Sequence, residues 1–185
     1  MEGGIRTAAE LWCDDPAAAK AQYGPIASWD TSEITNMEWL FYYKADFNGD
    51  ISRWDVSSVT DMDSMFREAR SFNIDISGWD VSNVWNMAGM LADATSFNGD
   101  LSQWDVSNVT DMGFVLDGAT SFNCDLSQWD VSKVRYMTQM LDGATSFTHQ
   151  LGGAWSTSTA DKRCMFDNCP GSIAGKTNDA EGTPE

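Results

Sequence analysis

The chain has 185 residues, 42% of them hydrophobic, with nine Trp, nine Phe and ten Met and a formal net charge of −17. That length suits a single domain with one sizeable core. The charge excludes nucleic acid, whose phosphates require clustered Lys and Arg, and disfavours anionic membrane surfaces, so basic partners or cations are its natural complements.

In chain order, the opening MEGGIRTAAELW has neither the basic nor the apolar region of a secretory signal, and no later apolar run approaches the roughly 20 residues of a membrane-spanning helix. Residues 1–28 read as an N-terminal helical cap. Its helix runs from Thr7 to Tyr23, with Leu11, Trp12 and Tyr23 available to cover the first coil of a repeat. That repeat occupies residues 29–151. Trp29, Trp54, Trp79, Trp104 and Trp129 are spaced by 25 residues, as are Phe47, Phe72, Phe97, Phe122 and Phe147, and Met37, Met62, Met87, Met112 and Met137. A fixed period between about 20 and 50 residues is the mark of a solenoid, in which each unit buries its apolar side on its neighbours.

Within one coil, Ile51, Trp54, Val56 and Val59 follow the spacing of a leucine-rich-repeat strand, which predicts a strand at Trp54–Ser57. Met62, Met65, Phe66 and Ala69 then fall at i, i+3, i+4 and i+7, which predicts one short helix per coil. The fold class expected is an α/β repeat, a leucine-rich-repeat-like solenoid of five coils with short parallel strands and helical caps. Residues 152–170 read as a C-terminal cap, and the polar, Gly-rich stretch 171–185 as a disordered tail.

Stacking turns positions into columns. Asp30, Asp55, Asp80, Asp105 and Asp130 form an acidic column on the strand side, beside the hydroxyls of Ser57, Ser82 and Ser107. Asp50, Asp75, Asp100 and Asp125, with Asn73 and Asn98, form a second column at the turn. Like charges about 5 Å apart repel by roughly 1 kcal/mol in water, and more near protein. Ca²⁺ bridging neighbours would relieve this, since it takes six to eight oxygens. Bonds from each Asp to backbone N–H groups of its own turn would need no ion. The spacing matches neither an EF-hand nor a nonapeptide calcium repeat.

Aromatics the repeat does not require stand at Trp85, where other coils have Thr, at Phe114 and at Tyr136, with Trp39, Tyr42 and Tyr43 in the first coil. Facing solvent together, they would form a partner patch. Enzyme chemistry has little to use, because the single His149 lacks a second ligand or base at useful spacing. Cys13 lies in the opposite cap from Cys164 and Cys169, and only the last two are close enough to form a local disulfide; Cys124 reads as a free thiol. Threonine columns suggest ice binding, but Trp85, Arg135 and Arg70 interrupt them and leave a poor template.

The words SFNGDLSQWDVSNVTDM and their copies, over about residues 27–151, resemble the BspA-like leucine-rich-repeat surface proteins of bacteria, mycoplasma lipoproteins included. The lead-in LWCDDPAAAKAQYGPIASWDTS is similar to that of such arrays in marine microalgal proteins. The resemblance implies a surface-exposed, non-catalytic binding or adhesion module for a protein or glycan, in an extracellular or cell-surface setting, and the lack of a long apolar run predicts no membrane insertion. Two other readings stand beside it: a calcium-binding structural solenoid, and a scaffold subunit of a larger assembly.

Overall fold

A computed structural model describes residues 2–176, with side chains from residue 4 onward. It begins with two helices in place of the single one expected. Helix α1 spans Glu2–Asp14 and α2 spans Pro16–Tyr23. Pro16 lacks the N–H that a continuous helix would need, so the chain breaks before it. Asp15 then caps α2, its carboxylate accepting from the Ala18 N–H at 2.9 Å. Gly24, at φ +79°, takes the left-handed turn that ends the helix. Ile5, Ala8 and Ala9 are the residues of α1 that bury against the first coil, with Trp12 partly covered beside them, whereas Leu11 is only half-buried. Trp12 and Tyr23 meet Trp29 edge-on, with ring centroids 5.9 and 6.2 Å apart.

Beyond a 3-10 turn at Ile26–Ser28, the chain winds in 25-residue coils joined by parallel bridges. These link Asn36 to Asp61, Asp61 to Asn86, Asn86 to Asp111, Asp111 to Tyr136 and Tyr136 to Asp161. The bridges lie several residues beyond the strand predicted at Trp54–Ser57, a segment that instead links two tight turns, one closed by the Trp54 N–H on the Ile51 carbonyl and one by the Val59 N–H on that of Val56. The row at Asp161 repeats the pattern, so coil structure extends into the predicted C-terminal cap. That region also holds α3 at Ala154–Thr157, while β1 (Gln150–Leu151) pairs in parallel with β2 (Ser172–Ile173). Residues 171–176, expected to be disordered, therefore include a paired strand. The rest of the expected tail, 177–185, lies outside the described residues.

The expected helix per coil is absent among the described residues. Over 62–69 the N–H groups of Met65, Arg67 and Ala69 donate to carbonyls three residues back, while those of Met62, Ser64, Phe66 and Glu68 donate to Asn86, Ala88, Met90 and Ala92 of the next coil. The carbonyls of Asp61, Asp63, Met65 and Arg67 accept in turn from the preceding coil. The backbone groups thus find their partners alternately within the coil and across it. Left-handed residues at every fourth position, Ser64 (φ +51°) and Glu68 (φ +63°) in this coil, make the alternation possible and exclude an α-helix.

The predicted inward columns hold. Trp54, Val56, Val59, Met62, Met65, Phe66, Ala69 and Phe72 are all buried. Phe72, Phe97, Phe122 and Phe147 stack face to face at centroid spacings of 5.7, 6.1 and 6.1 Å. Each such ring contributes about 1.5–3 kcal/mol by burial, and offset stacking adds roughly 0.5–1.5 kcal/mol per pair. From Trp54 onward the buried indole N–H groups reach back about one turn of the stack: Trp54 donates to the Ile26 carbonyl at 2.9 Å, and Trp129 to that of Leu101 at 2.9 Å.

Candidate functional site

The strand-side acids face solvent, each at the mouth of a turn that it closes. Asp55 Oδ1 accepts from the Ser57 N–H at 3.0 Å and from its hydroxyl at 2.6 Å; Asp80 holds Ser82 in the same way, at 3.1 and 2.6 Å. Asp30 and Asp130 repeat the arrangement with Ser32 and Ser132, and Asp105 with Ser107. The serine hydroxyl first, and its N–H second, hold the carboxyls of Asp30, Asp55, Asp105 and Asp130 below their ordinary range. The predicted hydroxyl column thus forms one unit with the acid column.

The turn column behaves alike. Asp50, Asp75, Asp100 and Asp125 each accept from the N–H of the serine two residues on, at 2.9–3.1 Å. Its asparagines form a separate ladder along the stack. Asn48 Oδ1 accepts the Asn73 N–H, Asn73 that of Asn98, Asn98 that of Asn123, and Asn123 that of Thr148. Asn73 and Asn98 therefore commit their side-chain carbonyl oxygens to structure. Among the described residues no group of three or more His, Cys, Asp or Glu side chains is placed to hold a metal ion, and no helix is long and apolar enough to cross a membrane.

The extra aromatics divide. Trp85 is 48% exposed and Tyr136 54%, while Phe114 is half-buried. Trp39 and Tyr43, 56% and 60% exposed, extend the aromatic area on the first coil, where the rings of Tyr42 and Tyr43 meet edge-on at 4.4 Å. Trp39, Tyr43 and Phe114 all sit at left-handed positions (φ +56°, +58° and +60°). Trp12, Pro16 and Tyr43 wall a shallow groove between the cap and the first coil, with the Lys44–Asp14 ion pair (3.1 Å) at its edge.

Burial pushes the Cys13 thiol in that groove up to about 11, so it stays protonated. All four cysteines are free: Cys169 is buried and Cys164 exposed, and the local disulfide open to them is not formed. His149 leans on Phe147 and contacts the Asn123 carbonyl at 3.0 Å, a packing role. The threonine hydroxyls also turn inward on the stack, Thr60 donating to the Thr35 carbonyl and Thr110 to that of Trp85.

One cluster draws only in part on the repeat, since Asp117 and Asp142 share a column with Arg67 and Asp93 lies outside it. Asp93, Asp117 and Asp142 face one another beside Arg67, whose Nε is buried without a partner. Burial raises the Asp117 carboxyl to about 6, with Asp142 and Asp93 adding to the effect. Asp93 lies 24 residues before Asp117, so the 25-residue register separates residues that the turn ribbon brings together. The backbone link between them runs from the Asp93 N–H to the Asp117 carbonyl, at 2.7 Å.

The family described as "Mycoplasma protein of unknown function, DUF285" matches residues 16–114 and, a second time, residues 79–175. No curated protein matches the chain.

Proposed function

The chain belongs to the DUF285 family of Mycoplasma proteins of unknown function, and we propose that it works as a non-catalytic binding module, a leucine-rich-repeat-like solenoid displayed at a cell surface. Its partner is a protein or glycan. The observation that carries this reading is the exposure of Trp85 and Tyr136 at positions where neighbouring coils hold Thr60, Thr110, Asp61 and Asp111. Stacking requires no aromatic there, and exposed Trp and Tyr are the residues that anchor contacts. The net charge of −17 favours a partner with basic groups and repels acidic ones.

The double variant Trp85→Thr/Tyr136→Asp restores the side chains of the other coils and leaves the core untouched. Wild type and variant are compared for binding to a panel of basic peptides and to a glycan array. We expect at least about a tenfold loss of affinity in the variant for whatever wild type retains, the scale of one anchor residue. Equal binding by both would move the contact to the Asp/Ser columns, and retention of nothing by wild type would sink the reading. Assembly as a scaffold subunit is the second reading, and the same two exposed rings favour it. A partner that buries both rings while leaving the Asp columns open would select it.

A further inference from the structure

The coils are joined by a ladder with a direction. In the first five coils, alternate N–H groups donate forward: Met37, Trp39, Phe41 and Tyr43 to Asp61, Asp63, Met65 and Arg67, and so on to Gln139, Leu141 and Gly143, which reach Arg163, Met165 and Asp167. Among the described residues, no further coil accepts from the last one. The N–H groups of Cys164, Phe166 and Asn168 have no protein acceptor among the described residues. Phe166 is half-buried, whereas Phe41, Phe66, Leu91, Leu116 and Leu141 in the same column are fully buried. This end therefore offers three donors and an incompletely covered ring.

The first coil is the complement. By the register of the stack, the carbonyls that would receive Cys164, Phe166 and Asn168 are those of Glu38, Leu40 and Tyr42. The Leu40 and Tyr42 carbonyls accept no bond among the described residues, and that of Glu38 is taken by Arg6 of α1. Arg6 also donates to Asn36 Oδ1 at 2.7 Å, and Ile5, Ala8 and Ala9 bury against the coil. Arg163, which pairs with Asp161 at 2.7 Å in its own coil, occupies the column of Glu38.

We infer that the last coil is a docking edge for the first coil of a second copy of this chain, and that α1 is the cap that keeps copies apart. Continuity supports this, because the junction would repeat the coil-to-coil interface the chain already makes within itself. Such head-to-tail contact does not close on itself, so once α1 is displaced it extends into filaments. The net charge of −17 opposes it at low salt, and screening permits it.

The test is sedimentation of the full chain at moderate salt, with Ile5→Asp/Arg6→Ala as the variant that releases α1. Wild type is expected to stay a monomer, and the variant to rise in mass with concentration. Adding Phe166→Pro, which deletes the central N–H of the docking edge, is expected to return it to monomer. A folded variant, as judged by its tryptophan fluorescence and melting, that remains monomeric overturns the inference; so does association that Phe166→Pro leaves unchanged. If the variant does not fold, wild type is warmed in steps below its main transition. Oligomers that appear as the α1 amides lose exchange protection, and that are missing with Phe166→Pro, support the inference, and their absence overturns it.

Discussion

Asp117 is held where its charge is unwelcome. Burial, reinforced by Asp142 and Asp93, raises its carboxyl to about 6, and Arg67 only partly offsets them. A carboxyl that binds its proton more tightly in the folded state than in the unfolded one, at an ordinary value near 3.8, favours folding when protonated. That contribution is present at low pH and is lost as pH rises through about 6. Asp117→Asn, which keeps the shape and removes the charge, should raise the melting temperature at about pH 8 and change it little at about pH 4. A shift that is equal at both pH values would locate the effect in packing instead. The turn acids have the opposite sign. Asp55 and Asp105 lie below their ordinary range, so their contribution is present at neutral pH and fades as pH falls below about 3.8. These acids were legible in the sequence because each sits two residues before a serine. The Asp93–Asp117–Asp142 cluster was legible only in part, because Asp117 and Asp142 lie 25 residues apart in one column and Asp93 joins them from the next.

At the scale of the element, the residues facing inward were legible and the backbone that turns them inward was not. Met62, Met65, Phe66 and Ala69 are buried as a helix would bury them, yet the same i, i+3, i+4 spacing also arises from successive three-residue turns. Periodicity reports which side chains share a face. It is silent on whether an N–H bonds within the coil or across to the next, and here that choice alternates residue by residue. The same missing information hid the Asn ladder, whose bonds run between coils. Two substitutions separate exposed from buried links. Asn98→Ala removes the acceptor for the Asn123 N–H at an exposed edge, where water substitutes, and should cost about 1 kcal/mol. Trp104→Phe strands the buried Ile76 carbonyl, which accepts the Trp104 indole at 3.2 Å, and leaves a gap as well, so about 2–4 kcal/mol is expected. Chemical denaturation of both proteins checks the order; a larger loss for Asn98→Ala would mean that the ladder, not the indole column, ties the coils together.

For the whole molecule, the columns of like charge raise the question of what keeps them in register. Neighbouring carboxylates about 5 Å apart repel by roughly 1 kcal/mol per contact in water, small beside the burial of one Phe and one Trp per coil at about 1.5–3 kcal/mol each. The stack therefore tolerates its acids without a bridging ion. Each of these acids also already has one oxygen engaged by its serine, which leaves one unengaged oxygen per acid for a cation that takes six to eight. Melting after chelation should then rise with added Ca²⁺ no more than it does with Mg²⁺ or Na⁺ at matched ionic strength, and the rise should not saturate. A calcium-specific, saturable rise would show that the free oxygens of adjacent coils, with their carbonyls, do assemble a site, and the Asp columns would become ligands that lock the coil spacing. The Asp55→Asn/Asp80→Asn pair decides between these outcomes, because it removes the charge and leaves an oxygen that can still accept from Ser57 and Ser82. Without a bridging ion it should lower the melting temperature slightly at neutral pH, because an amide oxygen accepts from Ser57 and Ser82 more weakly than a carboxylate does, and with one it should lower it further and abolish the calcium response.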